Sequence, residues 1–281
     1  MQAFHILRTR QKNFYMYDFE KFVAIISALK WREKNGKIKL VTDERGAAYF
    51  KSCGISAAWN EIEISLDEMD NLNWDEKTFW AGSKIFALSK QIAPVVMIDL
   101  DFIVWQHLNL KPYGENIAVI HREEIGNSVY PDKNFFQFKD GRQFPAALNW
   151  KIPACNTALA YFGARDIVKK YCDFAFEFMA NVDTTHGDLA HMVFIEQRWL
   201  AMCAALMNRE IFSLSSLDEL FAGRQKYFTH IWGDKQKLRD DLKAAENFCR
   251  NCTKRIAKDF PDWAEKLKSS DWAKKYFVEG F

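Results

Sequence analysis

The sequence has no long apolar run and almost no excess of charge of either sign. A bilayer-spanning helix needs about 20 consecutive apolar residues, and since no such run occurs we expect no membrane-spanning segment. The chain has 39 basic and 37 acidic side chains, so it lacks the basic excess with which proteins neutralise nucleic-acid phosphates. Nucleic acid is therefore not expected as a partner, whereas peripheral contact with a membrane surface stays open.

The sequence also lacks a recognisable secretory signal and regularly spaced cysteines. Residues 1–14 show no charged region followed by an apolar stretch and a small-residue cleavage site, so no secretory signal is expected. Cysteines scattered through apolar segments are typical of reduced thiols and predict a cytoplasmic protein. They are Cys53, Cys155, Cys172, Cys203, Cys249 and Cys252. The last two have C-x-x-C spacing but no second half-site, and their role is left open.

The 281 residues alternate between strand-like and helix-like patterns. Strands are predicted at residues 3–8, 37–42, 62–64, 95–98, 117–121, 157–162 and 211–214, and helices at residues 18–34, 43–54, 77–90, 164–180 and 193–207. This alternation predicts an α/β fold with a mainly parallel central sheet flanked by helices. We expect one domain over residues 1–240 and a helical, basic and aromatic C-terminal extension over residues 241–281.

Two aspartates one residue apart interrupt the most apolar stretch of the chain, residues 94–105. Residues 95–98 read as a strand buried on both faces, and Asp99 and Asp101 follow it directly. Carboxylates at the end of a buried strand need a compensating positive charge, because an unpaired buried carboxylate costs several kcal/mol or more. The pattern therefore predicts a metal site.

Two other interpretations of this D-x-D motif remain open. Aspartates also end strands and begin turns for purely structural reasons, although no Gly, Pro or Asn adjoins these two. A haloacid-dehalogenase-like phosphatase would use Asp99 as nucleophile and Asp101 as general acid. That family has Thr or Val at the fifth motif position and a motif close to the N-terminus, whereas this chain has Ile103 there, about a third of the way along.

Two further stretches are candidates for binding or covering a ligand. Parallel sheets bind ligands beyond the carboxyl ends of their strands, so Thr9 and Arg10, which follow the first strand, are candidate ligand-binding residues. Residues 122–149 form a long segment rich in turn residues and phenylalanine, and loops of this length are usually functional or mobile. We expect this loop to close over a bound substrate, with the aromatic C-terminal tail as the rival cover.

Four motifs in order resemble nucleotide-sugar glycosyltransferases of the GT-A fold, above all the glycogenin-like and D-x-D enzymes. They are Asp99-Leu100-Asp101, Asn156 opening the sequence NTALAYF, Glu196-Gln197-Arg198, and His230-Ile231-Trp232-Gly233. The resemblance covers about residues 1–240. It implies a GT-A-like sheet, transfer from a nucleoside diphosphate sugar, and retention of the anomeric configuration.

The resemblance also implies roles for individual residues. Asp99, Asp101 and His230 would hold Mn²⁺ or Mg²⁺, which fits the preference of hard cations for carboxylates and the tolerance of manganese for imidazole. Gly233 and Lys235 would bind the diphosphate and Lys84 the donor, while Asn156, Glu196 and Gln197 would act as catalytic residues beside the reacting sugar. The family places its lysine six residues after the histidine and then Pro-Trp, whereas this chain has Lys235 and Lys237 and no Pro-Trp.

The sequence thus predicts a metal-dependent hexosyltransferase-type glycosyltransferase, with a UDP-sugar as the expected donor and a saccharide or other hydroxyl compound as acceptor. Two alternatives are kept: the phosphatase, and a non-catalytic GT-A-like binding or scaffold protein.

Overall fold

The computed structural model describes residues 1–11, 13–185 and 189–277, and it confirms the predicted mixed α/β fold with a mainly parallel seven-stranded sheet flanked by helices. The strands are β1 Gln2–Leu7, β2 Ile38–Thr42, β3 Glu61–Ile64, β4 Val95–Ile98, β5 Phe102–Val104, β6 Ile117–Val119, β7 Arg122–Glu123, β8 Ala154–Cys155, β9 Leu159–Phe162, β10 Ile211–Ser213 and β11 Phe228–His230. The α-helices are α1 Asp18–Lys34, α2 Glu44–Ser52, α3 Gly82–Ser89, α4 Arg165–Asn181, α5 Leu189–Val193, α6 Trp199–Leu206, α7 Leu217–Phe221, α8 Lys235–Asp240, α9 Leu242–Asp259 and α10 Pro261–Lys268.

The chain forms two compact units. Unit 1 comprises Met1–Ile6, Ser65–Ile98 and Asn109–Gln225. Five strands of the seven-stranded sheet lie in this unit, in the order β10, β6, β9, β4, β1. β1 runs parallel to β4 and β10 parallel to β6, whereas β9 runs antiparallel to β4 and to β6. β4, β6 and β9 are buried throughout, which explains their uninterrupted apolar sequences.

Unit 2 comprises Leu7–Ile64, Asp99–Leu108 and Lys226–Phe281. It contains the parallel pair β2 and β3 and the antiparallel pair β5 and β11. Helix α1 is buried along most of its length and packs against β5 and α9. Residues 278–281 of the expected C-terminal extension lie outside the described residues, and its boundary at residue 240 stays a prediction.

Each predicted strand overlaps an observed one, but two predicted helices differ from the structure. The helix expected from residue 77 begins only at Gly82, because Asp75 accepts hydrogen bonds from Lys77 N (2.9 Å) and Thr78 Oγ1 (2.5 Å), and these hold a turn. The regular helix expected over residues 193–207 contains a π-helical turn at Phe194–Arg198, in which Trp199 N donates to Phe194 O. None of the helices within the described ranges is both long and apolar enough to cross a bilayer.

Candidate functional site

The Asp99-Leu100-Asp101 motif forms a tight turn between β4 and β5. Phe102 N donates to Asp99 O over 3.0 Å, closing the turn that carries both aspartates. The purely structural interpretation was therefore correct for the backbone. The side chains do more than end a strand, since they converge with a third residue.

That third residue is His230, at the end of β11. β11 pairs antiparallel with β5, and the pairing sets His230 opposite Phe102. Ile231 N donates to Asp101 O over 3.3 Å, which extends the pairing by one residue to the second aspartate. As a result, ligand atoms of Asp99, Asp101 and His230 all lie within 4.8 Å of one another, and all three residues belong to unit 2.

Asp101 has two positively chargeable neighbours. Its Oδ2 lies 3.5 Å from His230 Nε2 and 2.7 Å from Lys235 Nζ. Burial alone would raise the pKa of Asp101, but the hydrogen bond from His230 and the charge of Lys235 hold that pKa well below its usual value. Asp101 is therefore an ionised carboxylate at neutral pH, which is the form that binds a cation.

The donor set fits a divalent metal ion. Two carboxylates offer the oxygen ligands that Mg²⁺ and Mn²⁺ prefer, and an imidazole nitrogen favours Mn²⁺ among hard cations. Three protein ligands also leave coordination positions for diphosphate oxygens or water. The predicted set Asp99, Asp101 and His230 is thus brought together, while its occupancy by metal stays a prediction.

Gly233 and Lys235 are the residues expected to bind the diphosphate. Gly233 is exposed, and a Cβ built on it would meet no atom within 4 Å, so the backbone here is open to a ligand. Lys235 contacts Asp101, as described above.

Thr9 is buried and donates to Asp43 through its N (2.7 Å) and its Oγ1 (2.8 Å). Asp43 also caps α2 by accepting from Gly46 N, so Thr9 holds the loop after β1 to that helix, and Arg10 beside it is exposed.

Lys84, Asn156, Glu196 and Gln197, the residues predicted to act near the donor sugar, lie in unit 1. The side chain of Glu196 is 4% exposed, and its Oε1 accepts from Lys84 Nζ and, over 2.8 Å, from Thr157 Oγ1. The π-helical turn carries Glu196, and Gln197 next to it accepts from the Tyr130 hydroxyl. The structure thereby brings Lys84 and Glu196 together as a buried ion pair, a partnership that residue spacing did not reveal.

Asn156 belongs to a polar cluster that sequence reasoning missed. Its Nδ2 donates to Glu123 Oε1 over 3.3 Å, and the same carboxylate oxygen lies 3.6 Å from His121 Nε2. Asn156 Oδ1 also accepts from Ala158 N (3.2 Å), so this side chain stabilises the turn into β9. His121 ends an apolar strand pattern and Glu123 follows in an irregular segment, a context in which a lone histidine gives no signal.

The Cys249 and Cys252 thiols lie one turn apart on α9 and are both buried. Burial raises the pKa of Cys249 to about 12, and burial also raises the pKa of Cys252. Protonated, buried thiols are poor nucleophiles.

Comparison with known proteins gives a fold likeness and a family. The crystal structure of mouse xyloside xylosyltransferase 1 in its apo form has 11% sequence identity to this chain and a TM-score of 0.41, with 76% of this chain and 84% of that chain covered. No curated protein sequence matches. A family model, described as a family of unknown function (DUF6734), matches residues 6–270. The chain therefore belongs to the family DUF6734.

Proposed function

We propose that this protein is a glycosyltransferase that uses a divalent metal ion to move a sugar from a nucleoside diphosphate sugar to a hydroxyl acceptor. The observation that carries the proposal is the convergence of Asp99, Asp101 and His230 ligand atoms within 4.8 Å. A turn and a strand pairing hold these three residues together, so the site is built by the backbone as well as by the side chains.

The chemistry of the leaving group explains why such a site suits this reaction. A departing nucleoside diphosphate gathers negative charge on its oxygens, and a bound divalent cation stabilises that charge. Asp99, Asp101 and His230 would hold Mn²⁺, or Mg²⁺ in its place. The exposed backbone at Gly233 and the ammonium of Lys235 supply further groups for the diphosphate. The resemblance to D-x-D enzymes favours a UDP-sugar as donor and a saccharide as acceptor.

The roles that we propose at the sugar rest on the family resemblance alone. By resemblance, Glu196 and Gln197 would act beside the reacting carbon, Lys84 would serve the donor and Asn156 the sugar or acceptor hydroxyls. The same resemblance favours retention of configuration. The Glu196 carboxyl group pairs with Lys84 in a buried setting, and a carboxylate placed beside a sugar ring stabilises positive charge on it. The cytoplasmic location stays a proposal that rests on the cysteine pattern.

Calorimetric titration with Mn²⁺ and UDP tests the metal site. We expect the parent protein to bind UDP only with Mn²⁺, and Asp99→Asn and Asp101→Asn to weaken this binding by at least about 100-fold, because each removes a charged ligand. Asp262→Asn is the matched control, since Asp262 is an exposed carboxylate in the first turn of α10 of the same unit.

Two other results would replace the proposal. Metal-dependent hydrolysis of simple phosphate monoesters without any need for a nucleoside would indicate the phosphatase. UDP binding that is identical in the parent and both Asn variants would remove the metal site and leave a binding or scaffold protein.

A further inference from the structure

The Asp101 carboxylate already has a resident positive partner. Lys235, the first residue of α8, places its Nζ 2.7 Å from Asp101 Oδ2. The same oxygen faces His230 Nε2 at 3.5 Å. The ammonium therefore occupies a carboxylate oxygen that belongs to the candidate metal-ligand set.

The burial of the Asp101 side chain explains why its contact with Lys235 matters. Its side chain is only 12% exposed, and a carboxylate so far removed from water is costly unless a positive charge lies beside it. Lys235 provides that charge, although its own side chain is 32% exposed and can reach solvent. A divalent ion that binds Asp101 through Oδ2 competes with the ammonium for this oxygen, and a displaced ammonium needs another anion.

Helix α8 is fixed in place, so only the lysine side chain has to move. Leu238 is buried in unit 2, and Arg239 donates to Glu20 Oε1 over 2.7 Å while lying over the Tyr17 ring. Residues two apart on a helix face different directions, so Lys237 does not share the face of Lys235. Lys237 is exposed and serves as a charge-matched control on the same helix.

We propose that Lys235 is the counter-ion of Asp101 in the metal-free protein, and that its transfer from Asp101 to the donor diphosphate couples metal binding to nucleotide binding. This inference rests on the proposed function. Metal alone has to displace Lys235, whereas a diphosphate offers the ammonium a new partner and so releases Asp101. Coupling of this kind is reciprocal, because each ligand raises the affinity for the other by the same factor.

The test measures free Mn²⁺ by electron paramagnetic resonance during titration of the parent, Lys235→Met and Lys237→Met, with and without UDP. In the parent we expect UDP to tighten Mn²⁺ binding by about tenfold or more. In Lys235→Met we expect Mn²⁺ alone to bind about tenfold more tightly and UDP to tighten Mn²⁺ binding by a smaller factor than in the parent, because only the direct contact between metal and diphosphate then couples the two ligands. Lys237→Met should behave like the parent. Lys235→Gln repeats the measurement with a polar side chain and guards against a folding defect of the methionine variant.

Three results would contradict the inference, and each has a different meaning. Unchanged Mn²⁺ affinity and unchanged UDP enhancement in both Lys235 variants would overturn the inference while leaving the metal site in place. An equal rise of Mn²⁺ affinity in the Lys235 and Lys237 variants would also overturn it, because the effect would then be one of general charge. Failure of every protein to bind Mn²⁺ in the presence of UDP would remove the proposed function and the inference together.

Discussion

His230 is the strand partner of Phe102 in the pairing of β11 with β5, and this pairing delivers its imidazole to Asp101. The next residue, Ile231, donates its N–H to the Asp101 carbonyl oxygen over 3.3 Å. The candidate ligand set is therefore held together by backbone hydrogen bonds as well as by side-chain contacts. A site of this kind should lose metal affinity, but not its fold, when a ligand side chain is removed.

We predict that His230→Ala weakens Mn²⁺ binding in the presence of UDP by at least about tenfold. The metal-free melting temperature should change by no more than about 4 °C, the effect of about 1 kcal/mol in a protein of this size. Calorimetry and thermal melting with and without a chelator check both statements. His107→Ala is the control, because His107 is an exposed histidine of the same unit. Equal Mn²⁺ affinity in both variants would exclude His230 from the site.

The sequence was sufficient to predict most of the strands and to single out Asp99 and Asp101, because a buried strand that ends in two carboxylates is unusual. It did not reveal the pairing of β5 with β11, because that pairing joins two short segments far apart in sequence. The antiparallel direction of β9 was also hidden, because an apolar run reads the same in either direction.

Other features that the sequence did not reveal have similar causes. The π-helical turn at Phe194–Arg198 adds a residue to a helix that is apolar on nearly every side, so the shift in register leaves no trace in the pattern. The contacts Lys235 with Asp101 and Lys84 with Glu196 join residues far apart in sequence. Such pairs depend on tertiary packing, which periodicity does not encode.

We predict that the buried pair of Lys84 and Glu196 contributes strongly to stability. Their side chains are 12% and 4% exposed, so Lys84→Met or Glu196→Gln leaves a buried charge without its partner and should cost about 3 to 5 kcal/mol. The double variant should lose less than the sum of the two. Urea denaturation of the four proteins measures this coupling.

The surface pair of Lys90 with Glu68 gives the matched control, and Lys90→Met should cost less than about 1 kcal/mol. Additive losses in the double variant would show that Lys84 and Glu196 act independently. A folded double variant that still transfers sugar at the parent rate would exclude Glu196 from catalysis.

We predict that donor and Mn²⁺ slow amide exchange in residues 122–149 more than in residues 260–277. Arg198 donates to the carbonyl oxygens of Tyr130, Pro131 and Trp150, and these contacts favour the alternative, a fixed wall. The aromatic side chains of the loop also pack within unit 1, with Phe136 centred 4.6 Å from Phe194. Hydrogen exchange with mass spectrometry makes the comparison. Equal protection of the loop with and without donor would identify a fixed wall, and selective protection of the tail would make the tail the cover.

We predict a pH-dependent contribution to stability from Asp18. Burial by itself raises the pKa of this carboxyl, but hydrogen bonds from Lys21, Lys275 and Tyr276 lower the pKa below its ordinary value. A carboxyl with a depressed folded-state pKa stabilises the protein above its unfolded pKa of about 3.9, and the contribution disappears as the pH falls below that value.

Thermal melting of the parent and Asp18→Asn between pH 7 and pH 3 measures this contribution. The parent should melt higher at pH 7, and the difference should shrink below about pH 4. Asp262→Asn, a substitution of an exposed carboxylate, is melted alongside as the control. A difference in melting temperature that is constant over the whole pH range would contradict the assignment.

Crystals grown with Mn²⁺ and UDP test the central claim most directly, through the anomalous scattering of manganese. The account predicts one anomalous peak at about 2.0 to 2.3 Å from oxygens of Asp99 and Asp101 and from a ring nitrogen of His230, with diphosphate oxygens completing the coordination. Lys235 Nζ should then lie against the diphosphate and no longer against Asp101. Clear density for UDP with no manganese at these three residues, or with manganese elsewhere, would contradict the account.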